Sequence, residues 1–174
     1  MKYLIVITSI VLSLNGFGQA EDQNFTLSES TIIWQKVYET EKTKDELINY
    51  FKESGLFWTT ETKGDQLIGK LKHQKIDPDK TGVAGVPPIV NKTDYKALVI
   101  IDLKEKKYRV TMQNIVLIGD GEVLKKGEEQ SFETTYLNKE LTAYRPFFLK
   151  KPSEVYNITF NTLFEIEVKA KDEW

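Results

Sequence analysis

The chain has 174 residues, 40% of them hydrophobic and 29% charged, with a net charge of −2 and no cysteine. That balance fits one soluble domain with a real core. Arg109 and Arg145 are the only arginines; that scarcity, with the near-neutral charge balance, argues against a nucleic-acid partner. The lack of thiols removes disulfides, thiolate nucleophiles and thiolate zinc sites.

The first element in chain order is a leader. Lys2 supplies a short basic start, Leu4 to Leu14 an apolar run, and Gly18 and Ala20 the small residues of a cleavage site. This is the pattern of a secretory signal peptide cut after Ala20, and the run is too short for a comfortable membrane span. The expected layout is a signal peptide over 1–20, a flexible lead-in over 21–30 and one α+β domain over 31–174. No later segment is apolar enough to span a membrane. The expected location is the bacterial exterior: periplasmic, envelope-associated or secreted.

"TIIWQKVYET" (31–40) is rich in β-branched and aromatic residues and reads as a strand. "TKDELINYFKESG" (43–55) reads as a helix. Thr43 and Glu46 form a capping box, Leu47, Ile48 and Phe51 make an apolar stripe, and Gly55 sits at the C-terminal cap. Two strands come next, at 56–62 and 65–73, joined by a tight Lys-Gly-Asp turn. The clearest hairpin is 94–103 with 108–117. In its second strand Tyr108, Val110 and Met112 share one face, and Arg109, Thr111 and Gln113 share the other. Residues 118–152 read as a long excursion with an extended piece near Phe132 to Leu137. The last segment suits either form: Ile158, Phe160, Phe164, Ile166 and Val168 alternate as in a strand, while Phe160, Leu163, Phe164 and Glu167 share a helix face. Strands run together and helices sit at the ends, an α+β order with an antiparallel sheet of about five strands and helices on one face.

Three stretches, "WQKVYETEKTKDELINYFKESGLF" (34–57), "GKLKHQ" (69–74) and "YKALVIIDLKEKKYRVTMQNIVL" (95–117), resemble a family of exported bacterial domains of unknown function with a TATA-binding-protein-like fold. The resemblance implies a curved antiparallel sheet with helices on one face and a C-terminal helix from Phe160 to Lys171. It brings no activity and no functional residues. It implies no DNA binding either, because function resides in sites and not in folds.

Candidate sites are few. "DPDKTG" places Asp77, Asp79 and Thr81 at positions 1, 3 and 5 of a calcium loop and Gly82 at position 6. Position 12, which needs a bidentate carboxylate, is Pro88. Half the cage is absent, so no metal is expected, and Asp77 and Asp79 read as residues of a turn-rich connection. His73, the only histidine, has no nucleophile motif to serve and reads as a strand-end residue that packs or meets solvent. Trp34 and Trp58 read as core. "AYRPFFLKKP" (143–152) sets Tyr144, Phe147 and Phe148 beside Arg145. That cluster suits a stacked sugar or an anion, or else its aromatics fold back onto the sheet. No glycine-rich loop opens a helix, so no nucleotide and no other cofactor is expected.

The resulting expectation is a non-enzymatic binding or interaction module of the bacterial envelope. It would hold a protein or a small apolar ligand on one sheet face or on the 118–152 excursion. The alternatives are a hydrolase that assembles distant carboxylates and a structural envelope component. A binding face left open would favour the first, and paired carboxylates in a pocket would favour the second.

Overall fold

The computed structural model describes residues 24–166. The leader and its cleavage point lie outside the described residues, as do 167–174. The described residues form thirteen elements in chain order. They are β1 (Phe25–Ser28), β2 (Thr31–Glu39), α1 (Lys44–Glu53), β3 (Phe57–Lys63), β4 (Gln66–Leu71), β5 (Gln74–Lys75), α2 (Pro78–Thr81), α3 (Pro88–Asn91), β6 (Thr93–Lys104), β7 (Lys107–Gly119), β8 (Glu129–Ser131), α4 (Phe132–Tyr136) and α5 (Lys151–Phe164).

All described strands join one antiparallel sheet in the order β1-β2-β7-β6-β4-β3, with β5 paired to β6 and β8 to β7. The α+β class and the curved antiparallel sheet expected from the sequence are present. The eight strands exceed the five expected. Part of the excess comes from the lead-in: Phe25–Ser28 is a strand, paired from Phe25↔Trp34 to Ser28↔Thr31. Phe25 anchors it by packing edge-on against Phe148, ring centroids 5.2 Å apart.

Alternation decides which face is buried. Along β6, Tyr95, Ala97, Val99, Ile101 and Leu103 point inward, and Lys96, Leu98, Ile100 and Asp102 lie on the other face. Along β7 the expected split holds as far as Met112. There Asn114 and Ile115 together oppose the single residue Ala97, a β-bulge. Asn114 adopts φ 52°, a left-handed conformation that asparagine accepts more readily than most residues. The extra residue shifts the parity, so Ile115 and Leu117 return to the core that Asn114 would otherwise have faced.

The helices pack on the inward face. In α1, Thr43 Oγ1 accepts from the Glu46 amide, and the Glu46 carboxylate accepts from the Thr43 amide at 2.7 Å, closing the capping box. Gly55, φ 74°, then ends the helix in the left-handed conformation that glycine adopts without strain. Leu47 and Phe51 enter the core, and Phe51 meets Tyr108 edge-on at 5.5 Å.

The C-terminal element is helical as the resemblance implied, but it starts nine residues before Phe160, at Lys151, and ends at Phe164. Residues 167–171 of the expected span lie outside the described residues. Helix wins over strand because Pro152, Tyr156, Phe160 and Phe164 recur every fourth position and all are buried. Phe160 packs edge-on against Trp34 at 5.7 Å and at a tilt against Tyr95 at 5.1 Å. Tyr108 Oη donates to the Phe164 carbonyl at 2.7 Å, fixing the helix end.

The excursion is more ordered than its sequence suggested. β7 runs on to Gly119, β8 pairs back to it, and Phe132–Tyr136 is a helix where an extended piece was expected. Ser131 caps it by accepting from the Thr134 amide at 3.1 Å. Phe132 and Tyr136, four residues apart, both enter the core with ring centroids 4.6 Å apart. A strand would have sent them to the same face, but with Glu133 and Thr135 alternating against them. The helix instead buries Thr135 as well.

Candidate functional site: a cleft on the open sheet face

With the helices on one face, the other carries no helix among the described residues. Val37 is 53% exposed there, and Ile33, Ile68, Leu98, Ile100 and Val116 are half-buried. Ile118, at the β8 end, is the buried exception.

Three breaks in strand pairing fall side by side on this face. In β3 the pairing steps from Phe57↔Leu71 to Thr59↔Lys70, leaving Trp58 as an extra residue. Between β4 and β5 it steps from Lys70↔Leu98 to Gln74↔Tyr95, leaving one extra residue in Leu71 to His73. The third break is the β7 bulge at Asn114. Together they open a cleft of about 480 Å³ whose wall includes Trp58, Lys70, His73, Lys96, Leu98 and Asn114. Bulges bend a strand and re-aim side chains, and here they do so in neighbouring strands at one height.

The local sequence explains why Trp58 points outward. Phe57 and Trp58 are adjacent, and a regular strand cannot send both inward. Phe57 takes the inner position because Gly69 on β4 leaves room for its ring; a Cβ at Gly69 would lie 2.5 Å from Phe57 Cδ1. Trp58 is therefore 68% exposed, against the expectation that it is core. Trp34 is fully buried, as expected. Lys72 Nζ stands 5.4 Å from the centre of the Trp58 ring, within range of a cation–π contact.

The cleft is cationic. Lys70, Lys72 and His73 have no ion pair among the described residues, and Lys96 pairs with Glu129 on β8. Among the described residues no carboxylate lines the cleft. The carboxyl of Asp102 lies further along the same face. Burial works to raise its pKa, but hydrogen bonds from Arg109 and Gln66 outweigh that and hold it below the usual carboxylate value. The groups pushed strongly upward are tyrosines, by burial. The paired carboxylates required by the hydrolase alternative are not gathered at this cleft.

The sequence-level candidates lie elsewhere. Phe148 is fully buried, and Tyr144 stacks on it at 5.2 Å with its hydroxyl pushed up to about 12 by burial. Arg145 Nε donates to the Leu137 carbonyl at 2.6 Å, and Phe147, 41% exposed, stacks on Tyr136. So Tyr144 and Phe148 fold back onto the core, while Arg145 and Phe147 stay at the surface. Asp77 and Asp79 are exposed at the start of α2, where Asp77 pairs with Lys80 at 3.6 Å. The connection around them is pinned by Ile76 and Val90, both in the core. Among the described residues no three carboxylate, histidine or cysteine side chains converge as metal ligands. His73 is exposed at the strand end and forms part of the cleft wall. Sequence reading missed Trp58, Lys70, Lys72, Lys96 and Asn114. The signal for the first was the adjacent Phe57–Trp58 pair followed by a glycine in the next strand, Gly69, over which the Phe57 ring lies.

Fold and cleft define an α+β domain with an antiparallel sheet covered on one face. Two solved structures are similar to it. One is described as a TBP-like protein from Parabacteroides distasonis (TM-score 0.49, 15% identity, covering 79% of this chain and 88% of that one). The other is a DUF4468 family protein from Bacteroides ovatus (TM-score 0.43, 8% identity, covering 84% and 94%). No family model matches the sequence, and no curated protein matches it. Among the described residues no helix is long and apolar enough to cross a membrane.

Proposed function

We propose that the chain is an exported, non-enzymatic binding module of the bacterial envelope that takes its ligand in the Trp58 cleft. One observation carries the reading: a large aromatic ring is held 68% exposed, beside lysines, where three pairing breaks coincide. Exposed tryptophans are expensive in solubility and frequent at binding sites, where a rigid apolar ring gives contact area at little entropic loss. Export rests on the leader at residues 1–20 and its small-residue cleavage pattern.

The test is a nuclear magnetic resonance titration of the isotope-labelled mature chain, Glu21 to Trp174, with small aromatic acids and sugar acids. Amide shifts are expected to cluster at Trp58, Lys70 to His73, Leu98 and Asn114. Shifts centred on Tyr144 to Phe148, or no saturable shifts with any probe, would sink the reading.

A further inference from the structure

The side chains of the cleft narrow its ligand further than its shape does. Taking the cleft as the binding site, we infer that it selects acidic carbohydrate: a polysaccharide chain carrying carboxylates, with one sugar ring on Trp58 and its acid groups on the lysines.

Two independent features point to this class. The first is the ring. Trp58 is 68% exposed, and Leu98, the apolar side chain on the same face in the cleft wall, is half-buried. A flat, electron-rich indole without a deep apolar pit suits the C–H face of a pyranose, which carries partial positive charge toward the ring. A lipid tail or a protein hot spot would call for a larger contiguous apolar patch or a pocket.

The second feature is charge. Lys70 on β4 and Lys96 on β6 line the cleft, and Lys72, in the break between β4 and β5, stands over the Trp58 ring at its edge; among the described residues no carboxylate belongs to the cleft wall. The chain as a whole is slightly acidic, with a net charge of −2. A local set of lysines on such a chain attracts anions. Glu129 partly occupies Lys96, so a ligand carboxylate would displace Glu129 from it. Lysine suits dispersed carboxylates better than a planar fork would, because its ammonium is a point charge on a flexible stem. Asn114 and His73 add polar groups at the rim for sugar hydroxyls.

The measurement is calorimetric titration of the mature chain with oligogalacturonate and with the same oligomer fully methyl-esterified. The pair keeps the ring and removes the charge. Oligogalacturonate is expected to bind, the ester at least about tenfold more weakly, and the binding to weaken as salt rises. Trp58→Ala is expected to reduce affinity about tenfold or more, and Lys70→Gln with Lys72→Gln by a similar factor. An unchanged melting temperature in each variant shows that the fold is intact, and Trp58→Phe should recover part of the binding. Equal binding of acid and ester would overturn the charge selection. Stronger Trp58-dependent binding to vesicles containing phosphatidylglycerol than to the oligomer would overturn the carbohydrate class. Absence of binding by both oligomers, with other acids still shifting the cleft amides in the resonance experiment, would overturn this inference and leave the binding-module reading standing.

Discussion

Gly69→Ala tests the local packing that turns Trp58 outward. The φ of Gly69 lies outside the left-handed region, so alanine meets no backbone strain there, only crowding. Its Cβ would fall 2.5, 2.8 and 2.9 Å from Cδ1, Cε1 and Cγ of Phe57. Three atoms along one side of the ring are too close, so the whole ring must move, not merely tip. Phe57 is half-buried and pairs opposite Leu71, which is 2% exposed, so room to move inward is small. Overpacking of this kind costs about 1–3 kcal/mol, and replacing a strand glycine returns about 0.5–1 kcal/mol of backbone entropy. The net loss is about 0–2.5 kcal/mol with a midpoint of about 1 kcal/mol, or about 2–4 °C in melting temperature at that midpoint for a domain of this size. Calorimetry of residues 21–174 measures it. The double variant supplies the decisive sign: with Phe57→Ala already present, Gly69→Ala should stabilise by about 0.5–1 kcal/mol. If Gly69→Ala raises the melting temperature in the wild-type background as much as it does with Phe57→Ala present, the packing explanation for Trp58 fails.

Other perturbations address the rest of the structure. At Asn114, φ 52°, Asn114→Gly should be near neutral in urea unfolding, while Asn114→Val should lose about 1–2 kcal/mol because a β-branched residue resists the left-handed conformation. Asn157 accepts from Trp34 Nε1 at 2.9 Å and from Asn24 Nδ2 at 3.0 Å; Asn157→Leu strands the buried indole N–H and should cost about 1–3 kcal/mol by the same assay. Asp102 has its folded pKa depressed, so its stabilising contribution is complete above the unfolded value near 3.9 and disappears as pH falls through the lower folded value. Melting temperature measured from pH 6 down to about pH 2 should therefore fall less steeply for Asp102→Asn than for the wild type.

Local patterns carried the regular elements. The Thr43–Glu46 capping box and Gly55 marked both ends of α1, because caps are made by residues close in sequence. The β6–β7 hairpin was legible because both strands alternate, up to the bulge. What escaped the sequence depended on contacts between distant residues. β1 is too short and polar to announce itself, and it exists because Phe25 finds Phe148, Phe132 and Phe160. α4 escaped because Phe132 and Tyr136 read as an aromatic strand until Ser131 is seen to cap them. The same applied to the site. Asp77 and Asp79, and Tyr144 to Phe148, formed compact clusters in sequence, but their packing leaves the first in a surface turn and draws Phe148 into the core. The cleft is gathered from β3, the β4–β5 break, β6 and β7, so no short stretch of chain displays it.

Bulges also serve to curve a sheet around a helix, and the long α5 packed beneath Trp34 and Tyr95 supplies a reason for curvature here. Curvature accounts for the position of an extra residue but not for its identity. For bending alone, the extra position in β3 would be best filled by a small or polar residue, since it faces water. Tryptophan there adds exposed apolar surface with no packing return, and the Lys72 ammonium beside the ring marks a polar environment. The same holds for the lysines. A solvated sheet face usually intersperses charges of both signs, as Arg109 and Asp102 do further along this one, with Arg109 Nη2 and Asp102 Oδ2 2.8 Å apart. At the cleft Glu129 pairs with Lys96, while Lys70 and Lys72 have no ion pair among the described residues. Curvature and the proposed binding role are therefore compatible explanations of the backbone, and the proposal rests on the side chains set upon it: the exposed Trp58 and the unpaired Lys70 and Lys72.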